Sequence, residues 1–183
     1  MGKEPIEFDI NDVKASNDVI VALRTVQQSQ VRLNVLADQK ANINIGFTLL
    51  FITLGQAPQL ASLTTDAVLN WGVILVTVAI AASLTLALLV VAPRVGGRRI
   101  RQPADMANPF YFGMFTQLEQ ETYVDYMMTS MQRDEDARRM LLVDIYQIGR
   151  VLQRKYRLLR FSYGFLALAA ILSALLFAYK SLA

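Results

Sequence analysis

The sequence predicts an all-α membrane protein with three transmembrane helices, two of them continuous with long cytosolic helices that pair as an antiparallel, coiled-coil-like bundle. Three observations predict it. Residues 161–179 and 69–93 contain no Asp, Glu, Lys or Arg, and nineteen helical residues at about 1.5 Å each reach roughly 28 Å, close to the ~30 Å hydrocarbon core of a bilayer. Apolar residues make up 54% of the chain, above the level of a soluble domain. The basic residues are sorted by side, as they are in membrane proteins whose cytoplasmic loops carry Lys and Arg.

Taken in order, residues 1–11 carry Glu4, Pro5, Glu7 and Asp9 and read as a loose tail. The tail has no apolar h-region, so no cleavable signal peptide is expected. A cytosolic helix, capped by Asn11 or Asp12, covers 12–40. Within it Val19, Leu23, Val26, Leu33 and Ala37 form a heptad-like seam in which Gln30 takes a polar slot. Such a seam packs on another helix of the same protein or on a second copy.

The first span, 41–60, is short: Asn42 and Asn44 open it and Pro58 stops its apolar run. Length alone also fits a buried or re-entrant helix. The charges decide, because 5 of the 18 Lys and Arg residues precede this run, 12 lie within 94–160, and none lies within 58–68. Three spans, with the N-terminus cytoplasmic and the C-terminus periplasmic or extracellular, satisfy the positive-inside rule at every connection. The second span is 69–93, the cytosolic linker and helices are 94–160, and the third span is 161–180.

Residues 94–109 are punctuated by Gly96, Gly97, Pro103 and Pro109 and read as a linker along the membrane surface. Its arginines contact anionic lipid, at about 1 kcal/mol each, or clamp a phosphate through bidentate guanidinium bonds, with Arg98 and Arg99 as candidates. The run Asn108, Pro109, Phe110, Tyr111, Phe112, Gly113 anchors at the interface or plugs a small core. Alternatively, Phe110 or Phe112 stacks on a nucleobase. Helical patterning resumes at Thr116, pauses at a polar break over 133–136, and continues with Leu141, Ile145, Ile148, Leu152 and Leu159 straight into the last span.

Composition excludes much chemistry. The chain has no Cys and no His, which removes disulfides, thiol nucleophiles and the commonest metal ligand and general base. The remaining polar residues show no catalytic spacing, so no enzyme activity, metal, cofactor or nucleic-acid polymer is expected. Asp38 and Lys40 stand at the bilayer boundary, where charge is costly unless it snorkels or pairs. Asp144, Arg150, Arg154 and Lys155 on the partner helix offer interhelical ion pairs. Asn42 and Asn44 hydrogen-bond to other helices, at around 1 kcal/mol each, or line a wet path in an oligomer. Small residues (Ala81, Ala82, Ser83 and Ala87 on the second span; Ala167, Ala169, Ala170, Ser173 and Ala174 on the third) provide faces for close helix contact.

Ala37-Asp38-Gln39-Lys40-Ala41-Asn42 at the mouth of the first span, Asn108-Pro109-Phe110-Tyr111-Phe112, Tyr123, Asp144-Ile145-Tyr146-Gln147-Ile148-Gly149-Arg150-Val151-Leu152 and Lys155-Tyr156-Arg157-Leu158-Leu159 follow one another in the chain. In that order they resemble the Pycsar effector membrane domain, over roughly residues 20–180. The resemblance implies an antiviral effector in the bacterial inner membrane. In such systems a phage-triggered cyclase makes a cyclic pyrimidine mononucleotide, cUMP or cCMP. The effector, a homo-oligomer with no stable hold on the cyclase, then compromises the membrane and the infection aborts. No Gly-rich cyclic-nucleotide cassette is legible, so the nucleotide would bind the helical cytosolic portion. Lys40, Arg150, Arg154 and Lys155 are the candidates to neutralise its phosphodiester, with Asp38 beside them as a further candidate ligand-binding residue, against the plainer reading that these residues pair with one another or snorkel. Two other classes fit the residues: a constitutive membrane-anchored scaffold, and a small ion channel outside defence. The channel is weakened by the lack of an ionisable residue near the middle of any span.

Overall fold

A computed structural model describes residues 17–56, 66–93 and 99–182. Among these the regular structure is entirely helical. The expected tail, the cap at Asn11 or Asp12, the end of the first span and Arg98 lie outside the described residues.

Helix α1 runs Asn17–Leu50 and passes Gly46 without a break. It ends in a π-helical segment, Phe51–Gln56. Helix α2, Ala67–Val91, begins two residues before the expected span because the Asp66 carboxylate accepts the Val68 N–H at 2.8 Å. This side-chain cap satisfies one of the orphan amides of the first turn. The helix stops short of Pro93, whose ring disfavours helical geometry in the residue before it. After a 3₁₀ turn, Pro103–Asp105, come the short α3, Phe112–Phe115, and α4, Gln120–Ser130. Helix α5 then runs Asp134–Leu182, 49 residues that include the whole expected third span.

The chain forms two compact units, Met1–Gln30 with Val95–Ile148 and Val31–Arg94 with Gly149–Ala183. In the second unit, Ala37 and Ala41 of α1 pack on Val90 of α2 and Leu159 of α5. A further cluster joins Val76, Ala79 and Ile80 of α2 to Ala169 of α5. There Asp38 meets Lys155 and Asn44 meets Ser162, so partners on α1 and α5 advance together. The two helices therefore run parallel, which corrects the antiparallel expectation. The physical reason is that each passes from a polar N-terminal part to an apolar C-terminal part, and like regions align only when the directions agree. Helix α2 is the antiparallel one: its Ser83 meets Ser162, and its Gly72 faces Leu176.

The inward face of α1 is also more polar than the sequence suggests. In the first unit it carries Leu23, Gln27 and Gln30, and in the second Asn34, Ala37, Ala41, Asn44 and Thr48. These positions keep alternating intervals of three and four, a heptad phase. The predicted Val26 and Leu33 instead lie 46% and 39% exposed, their places in the seam taken by Gln27 and Asn34. On α5 the expected Leu141, Ile145, Ile148 and Leu152 are half-buried and Leu159 is buried.

The stretch from Arg99 to Pro109 is anchored to the first unit at a few points while most of its side chains stay exposed. Ile100, Met106 and Asn108 are buried within the first unit, and the Gln117 side chain accepts the Ile100 N–H at 3.0 Å. The tight turns demanded by Pro103 and Pro109 fold this segment onto α4 and α5 rather than extending it.

Candidate functional site

In the first unit the polar chemistry converges on Asp144, which is 7% exposed. The Asn108 amide donates to its Oδ1 at 2.7 Å, and the Gln27 amide donates to its Oδ2. A carboxylate withdrawn from water needs its lone pairs filled. Here two neutral amides fill them, where the sequence had suggested a cation. Asn108 is itself fixed, because its Oδ1 accepts the Phe110 N–H at 2.9 Å in an Asx-type turn. The same turn is tied down twice more: the Tyr123 hydroxyl donates to the Pro109 carbonyl at 3.1 Å, and the Gln147 amide to the Ala107 carbonyl at 3.4 Å. Asp144 thus joins α1, the Asn-Pro turn and α5 in one knot.

The second unit holds two polar knots. Lys155 donates to Asp38 at 2.6 Å. Beside this pair the Lys40 ammonium lies 5.5 Å from the Tyr156 ring centroid, a cation–π distance, and the Tyr163 hydroxyl donates to the Lys40 carbonyl at 2.9 Å. Deeper, Asn44 donates to Ser162 Oγ at 2.6 Å, Ser162 Oγ donates to the Ser83 carbonyl at 2.7 Å, and Ser83 Oγ donates to the Ser162 carbonyl at 2.9 Å. All three side chains are fully buried. This reciprocal serine crossing satisfies hydroxyls in an apolar stretch and holds α2 and α5 close.

The structure therefore brings together Asp38, Lys40 and Lys155 in the second unit. Arg150 and Arg154 belong to that unit and are exposed. Arg99, Phe110 and Phe112 belong to the first unit: Arg99 is exposed, Phe110 half-buried, and Phe112 is 55% exposed with its ring 5.1 Å from that of Tyr111. Asn44 is buried among α1, α2 and α5, whereas Asn42 faces outward. Sequence reasoning missed Gln27, Asn108 and Ser162. The first was legible as one heptad before Asn34, and the second as the polar residue opening the aromatic run.

A family model of the Pycsar effector protein domain matches residues 21–180. The chain belongs to that family. No curated protein and no solved structure matches it. A Pycsar effector is the responding arm of antiphage defence, an effector rather than a cyclase. Its membrane association rests on α2 and α5, both long and apolar enough to cross a bilayer. Only 11% of the most apolar stretch of α5 is buried within the chain, unlike the core helix of a soluble domain, which is covered by its own protein.

Proposed function

We propose that this Pycsar effector is a three-span inner-membrane protein that a cyclic pyrimidine mononucleotide, cUMP or cCMP, switches into an oligomer impairing membrane integrity. In this reading the chain makes its first crossing of the bilayer over 41–60, with the N-terminus cytoplasmic. The cytosolic parts of α1 and α5 pair as a parallel coiled coil, and the nucleotide binds the cytosolic helices. The observation that carries it is the continuity of α5, a single helix from Asp134 to Leu182. One end of it supplies Asp144 to the polar knot, and the other presents Phe161, Leu168, Ile171, Leu175 and Phe177 uncovered. A ligand shifts such an equilibrium only by its differential affinity for the two packings, and a continuous helix converts a change at Asp144 into a change in the exposed apolar face. Asp38 and Lys155 serve to hold register, while Lys40, Arg150 and Arg154 supply positive charge at the cytosolic boundary, facing acidic lipid or nucleotide.

The test is growth and membrane-potential dye uptake in cells expressing this chain with an active or an inactivated pyrimidine cyclase. Depolarisation only with the active cyclase supports the reading. Harmless expression under both conditions favours a scaffold.

A further inference from the structure

The first unit contains an open cavity of about 430 Å³ between the Asn-Pro turn, α4 and α5. That volume falls within the roughly 300–1,000 Å³ of small-molecule sites. Its walls are mixed. Met106 and Met140 are apolar and conformable, Tyr126 adds a ring, and Ser130, Asp136 and Arg139 add polar groups. Apart from Asp136, the polar side chains of this lining are uncommitted among the described residues. Elsewhere in this unit Gln27, Asn108, Gln117, Tyr123 and Gln147 all bond to protein. In contrast, the Tyr126 and Ser130 hydroxyls and the Arg139 guanidinium have no hydrogen bond or ion pair among the described residues. Asp136 is neutralised by Arg133 at 2.8 Å, so the lining is left with one net positive charge, at Arg139. Unspent donors around a concave, partly apolar space fit a small amphipathic anion.

We infer that this cavity is the nucleotide site of the effector, an inference that rests on the function proposed above. The occupant is a monoanionic cyclic ribonucleotide. Arg139 takes the phosphodiester, for which a planar guanidinium is suited, Tyr126 and the methionines flank the base, and Ser130 and Asp136 serve the ribose hydroxyl. The cavity also explains how occupancy reaches α1. Ala107 and Pro109 line it, and they flank Asn108, which donates to the Asp144 carboxylate that Gln27 also holds. A ligand pressing on that turn bears directly on the knot.

The experiment is equilibrium binding of cUMP and cCMP to the purified full chain in detergent, with cAMP, 5′-UMP and inorganic phosphate as comparison probes. Arg139→Ala is expected to weaken binding at least tenfold and Arg139→Lys to restore part of it. Arg24→Ala, on an exposed residue of α1, is expected to bind as the native chain does, and all three variants should keep the native melting temperature. If the native chain binds a cyclic pyrimidine nucleotide and Arg139→Ala and Tyr126→Ala bind it equally well, the cavity is not the site, although the proposed function stands. Phosphate competing as strongly as the nucleotide reduces the cavity to a general anion site and overturns the inference. A native chain that binds none of the nucleotides overturns both readings.

Discussion

Lys155 of α5 donates to Asp38 of α1 across a 2.6 Å gap, and that pair fixes the parallel register of the two helices in the second unit. The side chains differ in exposure, 18% for Lys155 and 38% for Asp38, so the pair is partly screened by solvent. Partly exposed ion pairs contribute on the order of 0.5–1 kcal/mol. Its structural value lies in specifying direction: an antiparallel arrangement would bring the charged part of one helix against the apolar part of the other.

Exchanging the two charges tests this role. Asp38→Lys alone and Lys155→Asp alone each juxtapose like charges and should destabilise the purified protein. The double variant should recover part of the loss, with a coupling of about 0.5–1 kcal/mol in a double-mutant cycle. Strictly additive losses would remove the pair from the account.

At Asp144 the expected outcome is larger. Asp144→Ala leaves the Gln27 and Asn108 amides without an acceptor in a site that is 7% exposed. Stranding buried donors costs about 1–3 kcal/mol. Chemical unfolding in detergent should show that loss, together with faster proteolysis near the Asn108 turn.

The serine crossing gives a third test. Ser162→Ala removes the acceptor of Asn44 and should cost on the order of 1 kcal/mol. Ser162→Leu forces bulk between α2 and α5 where Ser83 and Ser162 exchange backbone bonds, and overpacking of this kind costs about 1–3 kcal/mol. A leucine tolerated without loss would mean the helices are not held this close.

Neighbouring alanines separate folding from assembly. Ala169 is completely buried against α2, whereas Ala170 is exposed. Ala169→Leu should therefore lower folding stability, by about 1–3 kcal/mol. Ala170→Leu should leave insertion and stability intact and abolish toxicity by blocking contact between chains. Unchanged toxicity in an Ala170→Leu strain argues against assembly through that face.

Much of the fold was legible because two signals were strong. Loss of charge located α2 to within two residues at each end, and the step of Leu141, Ile145, Ile148, Leu152 and Leu159 gave the inward face of α5. The α1 seam departs from the expectation for a physical reason: a search for apolar residues selects Val26 and Leu33, while α1 turns the half-buried Gln27 and Asn34 inward, and Gln27 is held there by Asp144. Gln27 finds Asp144 and Asn44 finds Ser162, long-range pairings that no local pattern contains. Helix direction was misjudged although the information was present, since both helices grow more apolar toward their C-termini. The cavity around Arg139 was not legible, because it depends on how the Asn108-Pro109 turn packs on α4 and α5.

The central claim, that a pyrimidine nucleotide controls the membrane activity of this effector, is tested most directly by dye leakage from liposomes carrying the purified protein. The vesicles are titrated with cUMP and cCMP, with cAMP and cGMP as controls and insertion verified. The account predicts leakage that rises with a cyclic pyrimidine nucleotide, saturates, and is absent with the purines. Vesicles that stay sealed under every nucleotide, or leak equally without any, would contradict it.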